Sequence, residues 1–155
     1  MIDDIVPVYT AGNQGHVFLC LHGCGHSAMS FAVLARELKN RGSTVVAFDW
    51  RGHGKHYRED EADLSENTLI NDTLHVLNFV NQKFPESTVI LVGHSMGGSI
   101  ATKACDKIIK EMENHILAKQ ILGLFVIDVV EGTALEALPV MDSIVAARPT
   151  RFGDL

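Results

Sequence analysis

Cysteine is scarce in this sequence. Cys20, Cys24 and Cys105 are an odd number, and none of them forms a CxxC pair. That excludes the disulfide framework of a small secreted domain and suits a reducing compartment. Basic charge is short as well: 13 Lys and Arg stand against 19 Asp and Glu, a formal net charge of −6. A nucleic-acid binder needs a basic face and a peripheral membrane protein a polybasic patch, so neither partner is expected. Long apolar runs are missing: no stretch approaches the roughly 20 residues of a membrane span. The N-terminal MIDDIVPVYT lacks the positive start and apolar run of a signal peptide. Repeats, linkers and low-complexity tracts are absent too. What remains is a chain of 155 residues, 46% hydrophobic, ample for one core and short for two. Its expected location is intracellular, in cytoplasm or nucleus, and its expected partner a small molecule or a protein.

The run CLHGCGH offers Cys20, His22, Cys24 and His26 as conceivable metal ligands. Cys20 falls in an expected strand and Cys24 in the loop after it, and no second ligand pair follows, so no metal and no cofactor are expected. Core filling accounts for Cys20 and Cys105.

Apolar runs at 17–21, 44–48, 88–92 and 121–127 are short, rich in β-branched residues and without polar alternation, the pattern of strands covered on both faces. Helical spacing separates them. Phe31, Leu34, Ala35 and Leu38 form one stripe, with Ser27 as N-cap and Gly42 beyond the end; Ile70, Leu74, Leu77 and Phe84 form a second, stopped by Pro85. Ile100, Ala101, Ala104 and Ile108 mark a third helix. A fourth is expected from the Thr133/Glu136 capping box to a point before Pro149. Strands alternating with helices predict a parallel sheet clothed on both sides, with an edge strand near Val6 to Tyr9 and a solvated acidic loop at 58–63.

Between the third strand and the third helix lies ILVGHSMGGSIA, residues 90–101. Gly93, His94, Ser95, Met96 and Gly97 fit Gly-x-Ser-x-Gly, and a strand-to-helix turn is the setting that gives this pattern chemical meaning. Such a turn is sharp, so Gly93 and Gly97 are needed to remove clashing β-carbons, and the Ser95 hydroxyl is thrust beyond the sheet edge as a candidate nucleophile. The helix beginning at Met96 aims its first N–H groups at the same point, which favours developing negative charge. The Met96 N–H is one expected oxyanion donor. The loop of His22, Gly23, Cys24 and Gly25 resembles the HGGG loops of esterases and supplies the second, with Cys24 in place of a glycine.

A neutral serine needs a general base, ordinarily a histidine held by a carboxylate, and in this arrangement the chain order is Ser, acid, His. Asp128 ends the strand 121–127 and is the expected acid; Asp142 is a weaker rival, and Asp49 begins DWRGHG, which reads as a loop-shaping segment. No histidine follows Asp128. His94 adjoins Ser95, but its side chain is expected to diverge; His22 and His26 belong to the oxyanion loop, His53 and His56 to the loop after the second main strand, and His16, His75 and His115 to surface or helical positions. The simplest expectation is the front part of a longer hydrolase, inactive or weak over these residues alone.

LHGCGHSAMSFA (21–32), VVAFDWRGHG (45–54), VILVGHSMGGSIA (89–101) and VIDVVEGTALEAL (126–138) together resemble the protein phosphatase methylesterases, a family of α/β-hydrolases. The resemblance implies an incomplete α/β-hydrolase fold, with residues 1–155 the N-terminal part of a single domain and the last strands and cap missing. It further implies a serine esterase that removes the methyl ester from the C-terminal leucine of the protein phosphatase 2A catalytic subunit. Its nucleophile and acid match Ser95 and Asp128, and its histidine has no counterpart. The alternatives are a general carboxylesterase or lipase-like hydrolase, and a non-catalytic fragment that binds the phosphatase.

Overall fold

The computed structural model describes residues 6–56 and 63–128, together with 136, 139, 140, 143, 146 and 147. Among the described residues five strands, β1 (Val8–Ala11), β2 (Val17–Leu21), β3 (Thr44–Phe48), β4 (Val89–His94) and β5 (Ile121–Ile127), form one sheet in the order β1-β3-β2-β4-β5. All neighbours are parallel except β1, which runs antiparallel on β3. The expected edge strand therefore exists, shifted two residues along the chain.

Four helices, α1 (Ala32–Asn40), α2 (Glu66–Lys83), α3 (Met96–Glu111) and the short α4 (Ile116–Gln120), connect the strands, and a 3₁₀ turn at Ala28–Phe31 leads into α1. Ser27 caps that turn rather than α1, and its side chain makes no capping bond. The Ala28 N–H donates instead to the Asp49 carboxylate, 2.8 Å away, which removes the need for a serine cap. α4 went unforeseen because five residues carry too little periodicity to register. Its N-cap is His115, whose Nδ1 accepts the Leu117 N–H at 3.3 Å.

Alternation along the strands sorts the core into two layers. Leu19, Leu21, Val46, Phe48 and Leu91 face α2 and α3, where Val76, Leu77, Val80, Ile100, Ala104 and Ile108 meet them. Cys20, Val45, Ala47 and Val92 face the opposite way, against Phe31 and the half-buried Leu34 and Leu38 of α1. Each fully buried aliphatic or aromatic side chain contributes about 1.5–3 kcal/mol. Burial of Cys20 on this second face pushes its thiol up to about 12, as expected of an inert core cysteine.

Parallel strands bring all their carboxyl ends to one edge, so the segments after Leu21, Phe48, His94 and Ile127 gather there. Among the described residues no helix is long and apolar enough to cross a membrane. The stretch 58–62, Asp142 and most of the expected fourth helix lie outside the described residues. Within that helix Glu136, Pro139, Val140, Ser143 and Ala146 are helical, and the Ala147 N–H donates to Ser143 O at 3.0 Å.

Candidate active site

Ser95 occupies the junction of β4 and α3 with φ 51° and ψ −119°, a left-handed conformation that serine rarely takes. Asp128 has φ 54°. Among the described residues these are the two non-glycine positions with positive φ, and they are the two that the chain order Ser, acid picks out. Such conformations cost on the order of 1–3 kcal/mol and persist only where their surroundings impose them. One tie links the pair: the Ser95 N–H donates to Ile127 O at 2.9 Å, carrying the β4–β5 ladder through the bend to the residue before Asp128.

The flanking glycines are demanded by close approach. A β-carbon on Gly97 would lie 2.2 Å from Leu21 O and 2.7 Å from His22 O; one on Gly93 would lie 2.5 Å from both Gly97 O and Gly98 Cα. The bend can sit this tightly on β2 only without those side chains. Ser95 itself is half-buried, open to solvent on one side. It holds the N-cap position of α3, where serine hydroxyls commonly bond the first turn, yet it makes no such bond. The Gly98 and Ser99 N–H groups take Ser95 O instead, at 2.9 and 3.2 Å, and Met96 and Gly97, the first residues of the helix, have no intrahelical acceptor.

The loop after β2 reaches the same point. A β-carbon on Gly23 would stand 3.1 Å from Ser95 Cβ, so this backbone lies directly against the nucleophile candidate. Cys24 and Gly25 are exposed on the outer side of the turn, which is closed by the His26 N–H on Gly23 O at 3.1 Å. Gly25, at φ 74°, has the conformation that favours glycine.

His22 anchors this loop from beneath. Its Nδ1–H donates to Gly23 O at 2.8 Å, its Nε2 accepts the Trp50 N–H at 3.1 Å, and its carbonyl accepts the Trp50 indole N–H at 2.8 Å. Complete burial pushes the imidazole below the ordinary histidine value of 6.5, outweighing the upward pull of its bond to Gly23. A neutral ring is what the bonding requires, since Nε2 must stay bare to accept from Trp50. Asp49 is the matching support beneath the next loop. Its carboxylate accepts from Tyr9 Oη, Ala28 N and Lys55 N at 2.8–3.0 Å, leaving Gly54 no room for a side chain. The same loop is tied to α2 by a two-pronged Arg51–Asp72 pair at 2.7 and 2.8 Å. Asp49 therefore shapes a loop, as its segment suggested.

The histidines divide by place. His16 bonds Thr88 at 2.6 Å, near the opposite end of the strands, and His75 is exposed on α2. His53 stands 5.3 Å from the His22 ring. The His94 ring lies between the acid candidate and the glycine loop: its Nε2 is 3.8 Å from Asp128 Oδ2 and its Nδ1 edge lies against Gly23. Sequence spacing could not reveal this, because the direction of the ring depends on the strained backbone of the next residue. Asp128 is largely exposed, its side chain 77% accessible, so its carboxylate is open to solvent.

A serine bend between two glycines, a glycine loop and an aspartate at the carboxyl edge of a wound sheet make this an α/β-hydrolase fold. A family model described as "Serine aminopeptidase, S33" matches residues 12–124, and the chain belongs to that family. It is similar to protein phosphatase methylesterase 1 of Mus musculus, 41% identical over 98% of this chain, and of Bos taurus, 39% identical over 98%. A protein of Caenorhabditis elegans named probable protein phosphatase methylesterase 1 is 40% identical over 96%. The chain spans 37%, 38% and 39% of the length of these mouse, cattle and nematode relatives. Among solved structures, a thermostable carboxyl esterase from Bacillus coagulans superposes with a TM-score of 0.70 at 20% identity, over 91% of this chain and 46% of its own.

Proposed function

We propose that this chain carries the nucleophile, acid and oxyanion half of a serine carboxylesterase acting on a protein methyl ester. Ser95 attacks the ester carbonyl, the Met96 N–H and the Gly23–Gly25 loop hold the oxyanion, methanol leaves, and water then resolves the acyl-enzyme. Asp128 orients the imidazole that takes the serine proton. The observation carrying this reading is the strained, uncapped Ser95 between two glycines that admit no side chain, with Gly23 against it and Asp128 one residue beyond its Ile127 tie.

The names of the relatives in mouse, cattle and nematode favour a methylated protein phosphatase as substrate, and the resemblance of DVVEGTA at 128–134 narrows it to the C-terminal leucine methyl ester of the protein phosphatase 2A catalytic subunit. A methyl ester is uncharged and enters an apolar pocket readily, whereas the product carboxylate loses hydration there, which separates substrate from product.

Among the described residues His94 is the one histidine with a ring nitrogen within 4 Å of the Asp128 carboxylate, and at 3.8 Å it is not hydrogen-bonded to it. Turnover by these residues alone is therefore expected to be slow, since the loss of a triad member costs about 10⁴-fold or more. The test is methanol release from a peptide ending in leucine methyl ester, compared with hydrolysis of a short-chain p-nitrophenyl ester. Slow release that disappears in Ser95→Ala supports the proposal. Hydrolysis of the p-nitrophenyl ester alone would point to a general carboxylesterase, and turnover unchanged in Ser95→Ala would refute the nucleophile assignment.

A further inference from the structure

The imidazole of His94 is wedged between two parts of the site. On one side Nε2 faces Asp128 Oδ2 at 3.8 Å. On the other, a β-carbon on Gly23 would lie 2.8 Å from Nδ1 and 3.1 Å from Cε1, so the ring rests on the glycine backbone that also meets Ser95. The His26 ring packs on it edge-on, centroids 5.2 Å apart and planes at 68°. The ring is well covered, its side chain 27% accessible, while the aspartate beyond it is open.

A gap of 3.8 Å is too long for a hydrogen bond, so the ring occupies none of the carboxylate's lone pairs. An acid held in this way stays near the nucleophile yet free to accept a stronger partner. Among the described residues no other charged or imidazole group lies within 4 Å of the Asp128 carboxylate, and the His94 ring stands between it and the Gly23 backbone. A rigid ring with two rotatable bonds spans the distance at lower entropic cost than a longer flexible chain.

We propose that His94 is a positioning residue: it spaces the Asp128 carboxylate from the Gly23–Gly25 loop and so couples acid to oxyanion donors. The proposal rests on the reading of Ser95 and Asp128 as nucleophile and acid, but its structural half can be tested without catalysis. In the full chain, the amide resonances of Gly23 and Gly25 are recorded with and without Asp128→Asn, in the native and His94→Ala backgrounds. The resonances should move on Asp128→Asn in the native background and stay in place once His94 is gone. Equal movement in both backgrounds overturns the coupling.

Kinetics supply the second reading on a p-nitrophenyl ester. His94→Ala should lower kcat about tenfold with KM within twofold, and adding it to Asp128→Asn should cost nothing further. His94→Gln, which keeps polar reach toward Asp128, should recover most of the rate, and His94→Leu, which only fills the space, should not. Recovery by leucine would reduce the ring to packing and overturn the proposal. Activity unchanged in Ser95→Ala would defeat the nucleophile reading instead, leaving the resonance comparison to decide on His94.

Discussion

At the scale of single residues, the site is built from conformations that the residues themselves resist. Ser95 at φ 51° is held by its N–H bond to Ile127 O and by the approach of Gly97 to Leu21 O. Ser95→Gly should relieve that strain and stabilise the chain by about 1 kcal/mol in urea unfolding, while abolishing reaction with an ester. Strain and function would then separate in one variant. His22 makes a different claim. Burial lowers its folded-state pKa beneath 6.5, so the unfolded chain binds the extra proton first as pH falls. Stability from this residue is present above that value and is lost as pH drops through it toward the folded-state pKa, the sign expected wherever the unfolded state holds more protons. Urea midpoints measured from pH 7.5 to 5 should decline, and His22→Asn should flatten the decline. An equal slope in both would place the pH response elsewhere.

At the scale of elements, the decisive contact is the packing of the α3 N-terminus on the end of β2. Gly97→Ala places a carbon 2.2 Å from Leu21 O, a backbone atom that can yield only if the strand shifts. The expected cost is about 2 kcal/mol or more, read as a lowered Tm, with loss of ester reactivity beyond what unfolding explains. Much of this element was legible beforehand. The four main strands and three long helices follow from apolar runs and 3.6-residue stripes, and the glycine spacing announced the bend. Three things were not. The 3₁₀ turn before α1 depends on the Asp49 carboxylate, which stands 21 positions from the Ala28 N–H it binds. Helix α4 is too short to show a period. The His94–Asp128 approach depends on where a strained backbone points a ring, and no local pattern encodes that.

At the scale of the whole molecule, the sheet is asymmetric in its protection. β2 and β3 are covered on both faces, whereas β5, which among the described residues pairs with β4 alone, leaves Leu122 60% and Phe125 59% exposed. An apolar edge strand invites pairing with other chains. Phe125→Lys should therefore reduce concentration-dependent association, measured by light scattering, without changing the circular dichroism of the fold; undiminished association would place the sticky surface elsewhere. The carboxyl edge of the same sheet, by contrast, is filled with organised polar contacts. His22, Asp49 and the Arg51–Asp72 pair fix its loops from below, and this rigid floor lets a half-buried serine and an open aspartate hold their places above it.

The central claim, that Ser95 is a nucleophile poised at this edge, is tested most directly by a fluorophosphonate probe followed by intact-mass and peptide-level mass spectrometry. The account predicts a slow, single adduct on Ser95, absent in Ser95→Ala and faster than labelling of any other serine in the chain. An adduct on a different residue, or equal labelling of native and Ser95→Ala chains, would contradict it.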